Sequence, residues 1–279
     1  MTEVSINIGS SMAALLIPVV GTFIIVTTRQ MVTALVVLPF YRPKRRTLTW
    51  TALWPALALG VVLALMNLTY YEAIGRLGLG IAATLEFLGP LTLALAASRR
   101  ILDVFCAIAA LGGVMLLTGL DGEIDALGVV FALIAAACWA AYILLTRRVA
   151  TQLPGLDGLS IATLTGLVLL IPPALVIVDW SVFSWPVIGL LLAGGLLSSA
   201  LPYSLDTFIL RRITPRLYAI ITSCAPAIAA LVGLIVLGEQ LGVWQLVGIV
   251  AVCVAAATAI ATQKDGPAPD PSTSPHTIA

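Results

Sequence analysis

Residues 78–97 read GLGIAATLEFLGPLTLALAA, with Arg99 and Arg100 following just after. A membrane-spanning helix needs about 20 predominantly apolar residues. This stretch has that length and a single ionisable side chain, Glu86. The rest of the chain has the same texture. Of its 279 residues 61% are hydrophobic and 10% charged, and the mean hydropathy is +1.12. A soluble domain carries about 45–50% apolar and about 25% charged residues. The chain therefore reads as an integral membrane protein.

Apolar runs between polar breaks fall at 6–20, 22–40, 50–71, 78–97, 101–119, 126–145, 158–178, 186–206, 217–237 and 242–262. The expected fold class is all-α and polytopic, with ten transmembrane helices and a short first one. No length remains for a separate water-soluble catalytic domain. Residues 263–279, QKDGPAPDPSTSPHTIA, have too few apolar side chains to bury a core and are expected to be a disordered cytoplasmic tail.

Several functional classes are excluded by what the chain lacks. Its net charge is +1 and it has no long basic block, which argues against a nucleic-acid partner. Cys106, Cys138, Cys224 and Cys253 lie in apolar stretches without CxxC spacing, so neither a disulfide framework nor a metal site is expected. His276, the only histidine, sits in the tail. With no membrane histidine, no GxSG-like element and no paired mid-span aspartates, the chain is not expected to be an enzyme or to need a cofactor. The N-terminus lacks the basic region and cleavage site of a signal peptide. Gly78-Leu-Gly80-Ile-Ala-Ala83 fits GxGxxA, but it joins two spans and is no dinucleotide site; its glycines serve a tight turn or a close helix approach. Gly189 and Ala193 form a small-xxx-small pair, of the kind common at helix contacts.

Basic residues cluster in alternate loops: Arg42, Lys44, Arg45 and Arg46 after span two, Arg99 and Arg100 after four, Arg147 and Arg148 after six, Arg211, Arg212 and Arg216 after eight, and Lys264 in the tail. The other loops carry Asp121, Glu123, Asp125, Asp179 and Glu239, with Arg76 the basic exception. Cytoplasmic loops retain Lys and Arg, so both termini are expected in the cytoplasm. Matching spans one to five (within 1–120) with six to ten (within 121–262) pairs Pro90 with Pro226 and brings Glu72 near Asp206. An odd number of spans per half inverts the second copy, in keeping with the exchanged loop charges. Two inverted five-helix repeats around a midplane site are a signature of secondary transporters.

Ionisable groups inside spans are expensive, from about +2.5 kcal/mol upward, and usually face a cavity or a partner. Glu86 precedes Pro90 by four residues, and the proline deprives the carbonyl of residue 86 of its amide partner. A carboxyl beside an opened helix can bind a proton or an amine; the plainer role is a protonated group bonded to a neighbouring helix. Arg29 in span two could clamp a carboxylate, pair with Glu86, or snorkel to the headgroups. Asp206 and Glu72 lie near span ends beside arginines, as second-rank candidates. A softer polar set comprises Asn67, Tyr70 and Tyr71 on span three, Trp139 and Tyr142 on span six, Tyr203 on span eight, and Thr222 and Ser223 on span nine. Asn67 and Tyr70 share a helix face, as do Trp139 and Tyr142. Anchoring in an interfacial aromatic belt is the competing role for the tyrosines.

The segments MNLTYYEAIGRLGLGIAATLEFLGPL (66–91), CWAAYILLTRR (138–148), SSALPYSLDTFILRRI (198–213) and LGEQLGVWQLVGIVAV (237–252) resemble the EamA transporters of the drug/metabolite transporter superfamily. Within it, LGIAATLEFLGPL and ALPYSLD are most similar to threonine/homoserine exporters of the RhtA type. The resemblance spans about residues 5 to 262. It implies a ten-helix inverted-repeat carrier of the bacterial inner membrane that expels amino acids or related metabolites in exchange for protons, as a monomer or a homodimer. The family's span-two arginine then corresponds to Arg29, its EFxGP carboxylate to Glu86 and its span-eight acid to Asp206. Substrate would meet Arg29, Glu86, Asn67, Tyr70, Thr222 and Tyr203, and protons would use Glu86 and Asp206. Two departures stand out. Ala225 occupies the place, before the span-nine proline, where this group often has a glutamate. The match also begins about half-way along the family's first helix, implying either an upstream start codon or an incomplete first crossing. The alternatives are a carrier of another solute, such as a drug, nucleoside or sugar derivative, and a transport-dead paralogue acting as an interaction partner.

Overall fold

The computed structural model describes residues 2–39, 49–96, 101–118, 125–153, 157–202 and 222–262, and all regular structure among them is helical. The helices are α1 (Thr2–Ala14), α2 (Ile17–Val37), α3 (Trp50–Leu77), α4 (Leu79–Glu86), α5 (Leu88–Ala96), α6 (Ile101–Thr118), α7 (Ala126–Ala150), α8 (Asp157–Ile177), α9 (Trp185–Gly195), α10 (Ala225–Val232) and α11 (Val243–Thr262). π-Helical turns extend α9 over Leu196–Ala200 and α10 over Gly233–Leu237. Six helical segments are long and apolar enough to cross a membrane, and three shorter apolar ones accompany them. Large side chains such as Val176, Trp185, Val243 and Ile101 stand on the outer surface, where hydrocarbon rather than protein would cover them.

The boundaries follow local backbone chemistry. The division between runs 6–20 and 22–40 falls at Gly21, the one non-helical residue within α2, whose φ of 77° suits a residue without a Cβ. α1 itself is 13 residues long and unwinds at Leu15–Leu16 before helix resumes at Ile17. Span three, expected to end at 71, continues to Leu77, with the Gly78 amide closing the last turn on the Ile74 carbonyl at 2.9 Å. Glu72 and Arg76 therefore belong to the last turns of α3, and a single residue, Gly78 (φ 82°), connects it to α4. Span six likewise runs on to Ala150, and Arg148 stacks over Trp54 at 4.8 Å.

Arg76 is explained by its neighbours. Its Nη1 donates to Asp125 at 3.0 Å, its Nε lies 3.9 Å from Glu72, and its guanidinium faces the Phe131 ring. Glu72 also accepts a hydrogen bond from the Thr22 hydroxyl. Asp125 caps α7 through the amides of Leu127 (2.9 Å) and Gly128 (3.3 Å). The Arg76 hydrogen bond, aided by those amides, holds the Asp125 carboxyl below its usual range.

Glycines let the helices approach. α3 lies along α7 and α8, α6 along α11, α2 against α8 and α9, and α1 against α9 and α10, while α4 touches α7 and crosses α10. At the crossing Gly80 meets the Ala230 backbone, where a Cβ would come within 2.9 Å of the Ala230 Cα. Gly89 in α5 rests on the Ala136 carbonyl of α7 with no room for a Cβ. Gly89→Val is therefore expected to force α5 from α7 and destabilise the protein by about 1–3 kcal/mol, read as a lower thermal midpoint in detergent. Gly189, by contrast, meets nothing among the described residues, while the neighbouring Gly194 and Gly195 make the close approaches to α1 and α2.

Candidate functional site

The site begins at the break in the fourth apolar segment. α4 ends at Glu86, Phe87 leaves the helix pattern, and α5 resumes at Leu88. Pro90 has no amide to offer the Glu86 carbonyl, so the chain opens where the carboxylate sits. Glu86 is 8% exposed and accepts no hydrogen bond from the described residues. Behind it Phe87 packs edge-on against Trp139 of α7, with ring centroids 5.7 Å apart. Thr222 stands four residues before Pro226, as Glu86 stands before Pro90, and the chain is again non-helical between them, at Ser223 and Cys224.

Arg29 reaches across to the other end of the sequence. Its Nε donates to the Ser199 hydroxyl at 2.7 Å and its Nη2 to the Ser198 carbonyl at 2.9 Å. Nη1 approaches the Tyr71 hydroxyl at 3.4 Å, with the guanidinium 5.9 Å from the Tyr71 ring. Both serines belong to the π turn that extends α9, a geometry that disturbs the normal carbonyl pairing and often marks functional sites. The adjacent Leu197 carbonyl accepts from the Ser5 hydroxyl of α1 at 2.8 Å. Arg29 is thus held inside the protein rather than snorkelling to a headgroup.

The tyrosines of α3 complete the patch. Tyr71 is fully buried and Tyr70 nearly so, their rings meeting edge to face at 5.9 Å, which corrects the interfacial-belt role for this pair. The Glu86 carboxyl lies in the field of Arg29, and the Tyr70 hydroxyl lies in the field of both. Asn67, half-buried one turn before Tyr70, donates to its own Leu63 carbonyl at 2.7 Å. Of the residues singled out from sequence, Arg29, Glu86, Tyr70 and Tyr71 come together, and Thr222 lies at the matching break on the neighbouring segment. Tyr203 and Asp206 lie outside the described residues. Ser198 and Ser199 were not singled out, although two adjacent hydroxyls in an apolar span were a visible signal.

A part-buried guanidinium and a buried carboxyl close enough to feel one another's charge, with two buried tyrosines beside the guanidinium, suit a small solute bearing both charges. A separate cavity of about 410 Å³ is lined by Ala14, Leu15, Ile17, Pro18, Ile74, Gly75 and Leu237 and contains none of these residues. Among the described residues no group of side chains could hold a metal ion.

Comparison with known proteins adds an independent line. The EamA-like transporter family model matches residues 126–261. The threonine/homoserine exporter RhtA of Escherichia coli (strain K12) is 36% identical over 254 residues, covering 90% of this chain and 86% of that protein. Its namesake in Salmonella typhimurium (strain LT2) is 35% identical over the same length and coverage.

Proposed function

The chain belongs to the EamA-like transporter family and is a multi-pass membrane transporter, and on that premise we propose that it exports small amino acids of the threonine/homoserine type by proton antiport. The observation that carries the reading is the arrangement of Arg29 and Glu86. A substrate carboxylate replaces the neutral Ser198 and Ser199 oxygens on Arg29, since it adds an opposite charge and offers both its oxygens to the guanidinium fork in a bidentate pair. The ammonium group meets Glu86, with Tyr70, Asn67 and Thr222 lining the remainder. Tyr203 and Asp206 of the ALPYSLD segment complete the substrate and proton paths.

Export against a gradient requires that the proton and the substrate ammonium exclude one another at Glu86, so that the carrier turns over between its inward- and outward-open states with one or the other bound; a site that took both independently would couple nothing. Two inverted five-helix repeats, 1–120 and 121–262, rocking about the midplane supply those states. The helix packing supports the duplication. The contact of α3 with α7 is answered by that of α9 with α1, and α3 with α8 by α9 with α2. The contact of α4 with α7 is answered by that of α10 with α1, while α2–α8, α4–α10 and α6–α11 map onto themselves. The protein sits in the bacterial inner membrane with both termini cytoplasmic, as its loop arginines favour.

Growth of an overexpressing strain tests the substrate class. Rescue from excess threonine or homoserine is expected. Protection against drugs or nucleosides alone, with no amino-acid phenotype, would replace the reading with a carrier of another solute.

A further inference from the structure

The loop after α10 lays a carboxylate onto the start of α4. Glu239 Oε1 accepts from the Leu79 amide at 2.5 Å and Oε2 from the Gly80 amide at 3.3 Å. These are among the first amides of α4, which have no acceptor within the helix and lie at its positive end. Glycines from distant parts of the chain shape the seat. A Cβ at Gly78 would come 2.9 Å from the Glu239 carboxyl carbon, and one at Gly233 would overlap Oε2. Gly238, with φ 68°, turns the chain back, and the Glu239 amide closes the turn on the Gly233 carbonyl at 3.1 Å.

We propose that Glu239 is a positioning residue for transport, a latch that holds this end of the path shut while its carboxylate sits on α4. The inference rests on the alternating-access reading above. α4 is eight residues long, a rod of about 12 Å with the latch at one end and Glu86 at the other. Opening this end withdraws the carboxylate, and α4 tilts about the break at Phe87, carrying Glu86 with it. The contact suits reversal because Glu239 is only half-buried, so water can take over the carboxylate and the two amides. It also joins segments 160 positions apart, whereas Asp125 caps its own helix. In sequence the loop after α5 reads ASRR over 97–100, with arginines where the α10 loop has an acid.

The test uses the native Cys138, which is 8% exposed and adjoins Trp139 at the Phe87 break. In proteoliposomes, full-length protein carrying Cys106→Ala, Cys224→Ala and Cys253→Ala keeps Cys138 as its sole thiol. A membrane-impermeant maleimide is applied from the side bearing Glu239. Glu239→Gln weakens the latch directly, and Gly233→Ala fills the carboxylate's seat while leaving Glu239 in place. Both are expected to speed Cys138 labelling by about tenfold, a shift of the closed–open equilibrium equivalent to about 1.4 kcal/mol. Unchanged labelling in folded variants would overturn the latch. Loss of folded protein in both would overturn it too, because a gate contact is absent in the open state and cannot be required for folding. Labelling needs no substrate, so faster labelling without threonine transport would retain the latch and reject the substrate, while normal transport with unchanged labelling would do the reverse.

Discussion

Glu86→Gln is expected to abolish threonine transport driven by a pH gradient, a loss on the order of 100-fold or about 2.8 kcal/mol in the coupled step. The amide matches the carboxyl in size and leaves the Phe87–Trp139 contact in place, so the fold should survive. What disappears is the ability to exchange a proton and to present a negative charge to an ammonium group. Gradient-driven uptake and gradient-free exchange, measured on the same vesicles, separate the two roles. Loss of the first alone identifies Glu86 as the proton site. Loss of both identifies it as an amine ligand as well. A carboxylate retained only for packing would leave both rates near those of the parent protein.

Arg29 is expected to give the second largest effect, with a different signature. Arg29→Ala removes donors to the Ser199 hydroxyl and the Ser198 carbonyl; a hydrogen bond from a charged group is typically worth about 1.5–3 kcal/mol. The variant should show a lower thermal midpoint in detergent as well as lost transport. Arg29→Lys is the sharper probe. Lysine keeps the charge but cannot span both serine oxygens as the planar guanidinium does. The half-saturating threonine concentration should rise by about tenfold, or 1.4 kcal/mol, with a smaller change in maximal rate. A lysine variant that is destabilised but binds threonine normally would assign Arg29 to holding the π turn alone.

Much of the fold was legible in the sequence because each span must satisfy its own backbone in the bilayer and so declares itself by length and hydropathy. Gly21, between the first two apolar runs, falls at the kink inside α2 rather than at the Leu15–Leu16 break that separates α1 from α2, while Pro90 marked the opening beside Glu86. Helix ends were less legible. α3 carries Glu72 and Arg76 through its last turns because Thr22, Asp125 and the Phe131 ring receive them, partners from other segments that a reading of one span cannot supply. Long-range pairing hid most of the site for the same reason. Arg29 suggested a buried charge, and the paired hydroxyls of Ser198 and Ser199 stood out in an apolar span, but nothing in the sequence joined the two across about 170 positions. Glu239 stands in the sequence only as an acid of the loop after span nine, and its partners, the Leu79 and Gly80 amides, come from another segment. Tyr70 and Tyr71 looked equally suited to an interfacial belt, and only packing around α3 decided for the interior.

Counterflow of labelled threonine in proteoliposomes, with and without an imposed pH gradient, tests the central claim most directly. The parent protein should accumulate label transiently against unlabelled threonine inside, the gradient should change the extent, and Glu86→Gln should remove that dependence. Counterflow indifferent to both the gradient and the substitution would contradict proton-coupled amino-acid export by this site.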